Sequence, residues 1–296
     1  MKLFAAVRAP FDLAQSLAFM RRFPPCRQGL IIEDARVTAA LAIGGRAVAF
    51  TVSAGDGGLI VEVEDGLTPA AAALVVERAR QWLSADDDLG GFYAAAAGDD
   101  ARFREVVAML HGLHHVRFLS LAEITVYAVL MQRTPIVQAA RAKERFAARF
   151  GPAVTVRGIT LHAFPDLEEL VGLDEADYRD VVRLPRKAAM LPAVVRGVAA
   201  LGEGFLRGAP YVEAQGALLA IPGIGPFSAA AILLRGLGRM DDVPLDGKHF
   251  VEPARALYGD GFDAAAIRRR YGADLGYWSY YLKTGVPRMI APARTA

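Results

Sequence analysis

The chain has 296 residues, 54% of them hydrophobic and 22% charged, so it can bury a large core and does not have the composition of a disordered chain. Its formal net charge of +2 neither requires nor excludes nucleic acid, because DNA binding needs a local basic face rather than a basic total. A single cysteine, Cys26, excludes an intrachain disulfide and any four-cysteine zinc or iron–sulfur centre, and a buried, idle thiol is the expectation for it.

The N-terminal stretch meets charge at Arg8 and Asp12 before any long apolar run, which argues against a signal peptide. LFAAVRA (3–9) has the pattern of a short strand, and Asp12 opens an amphipathic helix, DLAQSLAFMRRF. RVTAALAIGG, RAVAFTVSAG and GLIVEVED are rich in β-branched residues and separated by glycine turns, which predicts a β-meander. TPAAAALVVERARQWL (68–83) closes this unit as a helix capped by Thr68. SADDDLGGFYAAAAGDD (84–100) is expected to be a polar join. Beyond it the chain is nearly all amphipathic helix, with breaks at Gly and Pro. The expectation is an α+β protein: a β-rich domain over 1–95 and a two-lobed helical bundle over 96–296. No uncharged apolar run approaches the ~20 residues needed to span a bilayer.

Chemistry concentrates in LLAIPGIGPFSAAAILLRGLGRMDDVPLDGKHF (218–250). A helix is halted by Pro222, turned by Gly223, Ile224 and Gly225, and resumed from Phe227. Such a hairpin lets backbone amides approach a phosphate oxygen while Ile224 plugs the groove between the helices. An extended Val-Pro-Leu link then ends at Asp246, at the expected N-cap of a further helix. Asp241 and Asp242 are the rival acids. The HGLHH cluster (His111, His114, His115) matches no metal-ligand spacing and is expected to form a turn between helices.

A hairpin followed by Val-Pro-x-Asp resembles the defining pattern of the helix-hairpin-helix DNA glycosylases of the endonuclease III superfamily. The β-rich N-terminal unit, LPRKA (184–188), VLMQRT (129–134) and YWSYYL (277–282) extend the resemblance, which lies nearest to the 3-methyladenine DNA glycosylase II branch. It implies a helix-hairpin-helix fold, double-stranded DNA with a damaged base as partner, a monomer, and a bacterial cytoplasmic setting on the nucleoid. It implies Asp246 as the catalytic carboxylate and Gly223, Ile224, Gly225, Phe227, Gln132, Arg133, Arg186, Lys187 and Lys248 as DNA contacts. Arg133 stands where relatives insert a leucine or asparagine into the duplex, so arginine there is a departure.

Phe227 occupies the position of the lysine that bifunctional members use as a Schiff-base nucleophile, which implies a monofunctional enzyme. Lys248 is close enough to Asp246 to be the rival amine. No iron–sulfur cluster is expected, although a structural monovalent cation could sit at the hairpin. The implied reaction flips out an alkylated purine and stabilises an oxocarbenium-like sugar with Asp246. A purine alkylated at N3 or N7 is already cationic and leaves easily, and aromatic faces suffice to hold it. Phe227, Trp278, Tyr281 and Tyr127 are the expected base pocket, with Tyr280 a further candidate. An oxidised or deaminated base, such as 8-oxoguanine, is the alternative lesion, and a non-catalytic DNA-structure-binding module the alternative class.

Overall fold

The computed structural model describes residues 1–27 and 29–290. The chain opens with β1 (Lys2–Ala6), α1 (Leu13–Arg22) and the single turn α2 (Pro24–Arg27). Asp12 caps α1 by accepting the Ala14 amide at 2.8 Å. Strands β2 (Ile31–Ile32), β3 (Arg36–Ile43), β4 (Arg46–Gly55) and β5 (Gly58–Val63) join β1 in a sheet of order β1-β5-β4-β3-β2, antiparallel throughout. Gly58 lets β1 lie close, since a Cβ there would stand 2.5 Å from the Ala5 carbonyl oxygen. α3 (Pro69–Trp82), capped by Thr68, buries Val75, Ala79 and Trp82, with Trp82 edge-on to Phe50 of β4. The sheet and its capping helix agree with the expectation from sequence.

The helical part runs through α4 (Gly90–Ala97), α5 (Ala101–Met109), α6 (Leu121–Leu130) and α7 (Ile136–Phe150). The hairpin β6 (Ala153–Val156) and β7 (Ile159–His162) follows, then α8 (Leu167–Val171), α9 (Glu175–Val182) and α10 (Pro185–Leu201). The remaining helices are α11 (Glu203–Gly208), α12 (Tyr211–Leu219), α13 (Pro226–Ala231), α14 (Lys248–Tyr258), α15 (Ala264–Tyr271) and α16 (Leu275–Ile290). Two elements depart from expectation. The supposed polar join contains α4, whose Phe92 is fully buried among Tyr271, Tyr277 and Tyr281. The β6–β7 hairpin covers the outer face of β3 with Leu161 and Ala163 on Ala40 and Ala42. That cover explains why β3 is a nearly continuous apolar run rather than an alternating one.

Two main cores form, and they do not divide at residue 95. One joins the sheet, α1, α3, α4 and α5 to the far C-terminal α14, α15 and α16. The other gathers α6, α7, α9, α10 and α12–α13. α6 is buried on every side, as a helix apolar all round must be. The cleft between these lobes is where the site lies.

Candidate active site

The hairpin is built as its glycines require. Gly223 has φ +99°, and a Cβ there would also meet Val194 Cγ2 at 3.0 Å and Met190 Cε at 3.1 Å. Ile224 is buried in the second core and its amide donates to the Ile221 carbonyl at 3.0 Å. Gly225 then precedes α13, with Pro226 and Phe227 exposed at its start. The Ile221 and Gly223 carbonyls accept one hydrogen bond each, from Ile224 and Gln132. Their remaining lone pairs are the donor chemistry a monovalent cation would use.

Gln132 ties the α6–α7 turn to this hairpin. Its Nε2 donates to the Gly223 carbonyl at 2.9 Å and to Ser228 Oγ at 3.1 Å. The next residue, Arg133, stands exposed with φ +48°, a left-handed conformation unusual for arginine. Lys187 corrects an expectation. Its ammonium points inward, donating to the Leu130 carbonyl and the Thr134 hydroxyl, and burial lowers its pKa. It therefore braces the Arg133 turn and is not free to meet a phosphate. Arg186 is exposed, and Lys248 is exposed and paired with Glu252 at 3.3 Å, one helical turn on.

Beside the hairpin a cavity of about 540 Å³ opens between the lobes, a size suited to a small-molecule group. Its walls include Phe19 of α1 and Phe23 at its C-cap, Phe118, Tyr127 of α6, Phe227 and His249, so the two predicted aromatics Tyr127 and Phe227 meet there. Phe227 is 43% exposed and stands edge-on to the His249 ring, centroids 5.1 Å apart. Trp278 and Tyr281 do not reach the cavity. Both are fully buried in the first core, where Trp278 Nε1 donates to Tyr258 and the Tyr281 hydroxyl donates to the Leu113 carbonyl. On α16 the cavity-facing stripe is instead Tyr280, Lys283, Thr284 and Pro287, with Arg288 beside it. The i, i+3, i+4, i+7 spacing puts Trp278 and Tyr281 on the other face.

Sequence reasoning missed the cations of this cavity: Arg22, Arg235, Lys283 and Arg288 all line it. Arg235 lies in a π-helical turn, Ile232–Gly236, a wide turn that often marks a functional site. Its guanidinium lies 4.7 Å from the Phe23 ring centroid, 5.3 Å from Phe19, 5.6 Å from Tyr280 and 6.0 Å from Phe118. Nη1 donates to His115 Nε2 at 3.0 Å, so the His115 proton sits on Nδ1. Burial, with Arg235 and Arg117 nearby, pushes the His115 pKa well down, and the ring is neutral. Lys283 Nζ rests 4.8 Å from the Phe250 centroid. Its side chain is open to the cavity but hemmed by protein elsewhere. Burial, then Arg235, lower its ammonium to about 8. His249 falls to about 4 through burial and Lys283, with Asp246 opposing. The remaining histidines of HGLHH are structural: His114 sits between the Ser84 and Pro10 carbonyls, and His111 stacks on Tyr93.

Asp246 sits at the rim. The Gly247 amide donates to the Pro244 carbonyl at 3.0 Å, closing a turn with Leu245 and Asp246 at its corner. Pro244 and His249, on either side, both line the cavity, whereas Asp246 is exposed at its edge. The helix cap is Gly247 and not Asp246, so the expected structural use of this carboxylate is absent. Among the described residues Asp246 has no hydrogen-bond or ion-pair partner, whereas Asp241 is paired with Arg239 and Asp242 with Arg268. Cys26 is buried, and burial raises its thiol to about 11.

An antiparallel sheet on a two-lobed helical bundle, with a Pro-Gly-Ile-Gly hairpin at the cleft, is the α+β fold of the helix-hairpin-helix DNA glycosylases. The 3-methyladenine DNA glycosylase from Archaeoglobus fulgidus superposes with a TM-score of 0.78 at 20% identity, covering 98% of this chain and 100% of that one. A Mycobacterium tuberculosis protein named "Probable bifunctional transcriptional activator/DNA repair enzyme AlkA" is 32% identical over 169 residues, 56% of this chain and 33% of its own. The DNA-3-methyladenine glycosylase of Bacillus subtilis is 25% identical over 185 residues, 62% of this chain and 61% of its own. The chain thus spans a third to three fifths of the length of these curated relatives. No protein-family model matches it. In sequence and fold it resembles the helix-hairpin-helix glycosylases on their 3-methyladenine side.

Proposed function

We propose that the chain is a monofunctional DNA glycosylase that draws an alkylated base out of duplex DNA and hydrolyses its N-glycosidic bond. The observation that carries this reading is an exposed carboxylate, Asp246, without a partner among the described residues, in the turn between Pro244 and His249, which both line the cavity beside the hairpin. A carboxylate held next to polyanionic DNA has little purpose in a pure binding module. Beside a sugar that gains positive charge as its base departs, it lowers the barrier directly. The names of the curated relatives support the same activity.

In this reading the amides at the start of α13 take a phosphate oxygen, and Arg133, propped in its left-handed turn by Gln132 and Lys187, enters the gap left by the base. Backbone carbonyls of the hairpin would hold a monovalent cation whose charge draws the phosphate closer. The base enters the cavity past Phe227 and stacks against Tyr127. Asp246 stabilises the oxocarbenium-like sugar and orients water at C1′. Phe227 carries no amine and Lys248 pairs with Glu252, so neither motif position presents a free Schiff-base nucleophile in this reading.

The deciding experiment incubates the protein with duplexes containing methylated purines and separates the products with and without hot alkali. Released base with strand breaks dependent on alkali is the expected result. Breaks without alkali would remove the monofunctional mechanism, and tight binding with no release would leave a binding module. A second expectation concerns the brace: Gln132→Ala unties the Arg133 turn from the hairpin and is expected to weaken duplex binding up to about thirtyfold by fluorescence anisotropy, since two hydrogen bonds at about 1 kcal/mol each are lost.

A further inference from the structure

His249 follows Asp246 on the first turn of α14, and its ring forms part of the cavity wall. It is wedged among apolar surfaces, edge-on to Phe227 with centroids 5.1 Å apart and tilted on Phe250 at 4.3 Å. The ring also lies against the backbone of the turn that carries Asp246. A Cβ on Gly247 would stand 2.7 Å from His249 Cε1 and 3.1 Å from Nδ1. The Gly247 backbone itself is open to any residue, with φ −66° and ψ 134°. Glycine is therefore required there by the ring and not by the chain conformation.

One atom of this closely held ring is left over. Nε2 is buried and, among the described residues, has no hydrogen-bond partner. An unpaired buried polar atom is destabilising, and an apolar side chain would fill the same space without that cost. Such a loss is retained where function uses the atom. Burial, then Lys283, hold the ring at about 4, with Asp246 opposing, so it is neutral near pH 7. Whichever tautomer it takes, a neutral ring offers Nε2 for one hydrogen bond with water, which both donates and accepts.

Resting on the glycosylase reading above and deepening it, we propose that His249 is a positioning residue that holds the hydrolytic water beside Asp246, and that Gly247 is there to admit its ring. The oxygen of that water bonds to C1′ as the glycosidic bond breaks and the bonding pair leaves on the base. The proton that the water sheds passes to the Asp246 carboxylate and from there to solvent. His249 exchanges no proton; it fixes where the water stands. Its part is played at the sugar, so it serves whichever base the cavity admits.

The test is single-turnover release of 7-methylguanine from duplex DNA, with the dissociation constant of the same duplex measured separately. His249→Leu is expected to slow release about tenfold, the scale of one hydrogen bond to the reacting water, with binding unchanged. Its melting temperature should equal or exceed that of the wild type, since the unpaired atom is gone. His249→Gln, whose amide reaches the Nε2 position, should recover most of the rate. Gly247→Ala should reproduce the defect by displacing the ring, and the double variant Gly247→Ala/His249→Leu should be no slower than either single one. In dilute methanol both single variants should yield a larger share of methyl glycoside than the wild type, because water is no longer held at C1′. Undiminished release by His249→Leu, no recovery in His249→Gln, additive defects in the double variant, an unmoved methanol share, or a melting temperature that falls with the rate would overturn the proposal and leave the glycosylase reading standing. No release by the wild type would remove both.

Discussion

Asp246→Asn is expected to lower base release by at least about a thousandfold, about 4 kcal/mol of barrier, while leaving the melting temperature within about a degree. The two halves of this expectation have different origins. Release falls because an amide cannot offset the positive charge that grows on the sugar and is a poor acceptor for a proton from water. Stability holds because Asp246 is exposed, does not cap α14, and has no partner among the described residues. The rivals behave oppositely. Asp242 binds Arg268 and the Val243 amide, so Asp242→Asn should loosen the link that positions Asp246 and cost stability first. Single-turnover release on one duplex with each variant distinguishes the cases. Retained release by Asp246→Asn would dismiss it as the catalytic carboxylate.

The largest stability effect is expected at Arg117, far from the chemistry in sequence but behind the cleft. Its guanidinium is stretched between the lobes. Nε donates to Ser84 at 2.8 Å, Nη2 to Asp87 at 2.8 Å and Nη1 to the Leu237 carbonyl at 3.2 Å, at the end of the helix that begins at the hairpin. Gly238 makes the approach possible, with φ +72° and room for no Cβ: one would lie 2.1 Å from Arg117 Cζ. Asp87 also accepts from the Tyr277 hydroxyl at 2.6 Å. Arg117→Met leaves the Asp87 charge largely buried without its cation, and about 3–5 kcal/mol of stability should be lost. In a chain of this size that corresponds to a melting point about 5–8 °C lower. Arg117→Lys should recover part of it, because a single ammonium cannot span three acceptors in a fixed fork. An unchanged melting temperature in Arg117→Met would mean that the lobes are held by other contacts.

Much of the fold could be read from local signals. Thr68 and Asp12 cap where short polar side chains before apolar periodicity should, and the glycine-separated strands pair in order. The Pro-Gly-Ile-Gly corner is legible because φ values above zero at Gly223 and burial of Ile224 are both written in residue type. What escaped was decided by distant partners. The β6–β7 hairpin carries alternation in AVTV and ITLH around Arg157–Gly158, but it is short and its partner surface is a strand more than a hundred residues earlier. The lobes are discontinuous in sequence because α14–α16 return to pack against α4 and α5, a closure that no local pattern announces.

The site divides in the same way. The place of Phe227 in the cavity wall, and of Asp246 in the link beside it, was legible from motif position. The choice among aromatics on α16 was not: Tyr280 and Tyr281 are the same residue type, and only the phase of the helix turns Tyr280 to the cavity and Tyr281, with Trp278, into the core. The signal for the cavity face was the polar stripe Tyr280, Lys283, Thr284 at helical spacing, in which the lysine is the informative member. Lys187 misleads for the converse reason. A basic residue at a helix start suggests phosphate, yet its long stem reaches back to the unpaired carbonyl of Leu130 at the end of α6. Arg235 could not have been assigned from sequence, since its place in the cavity depends on a π-helical turn within an otherwise regular helical pattern.

The most direct measurement is a crystal structure of the protein on duplex DNA that carries a pyrrolidine abasic analogue, whose protonated ring nitrogen stands in for the charge developing at C1′. The account predicts the Asp246 carboxylate about 3 Å from that nitrogen, the amides at the start of α13 on a phosphate of the same strand, and the ring turned toward the cavity walled by Tyr127 and Arg235. A pyrrolidine held elsewhere, with Asp246 facing solvent across the cleft, would contradict it.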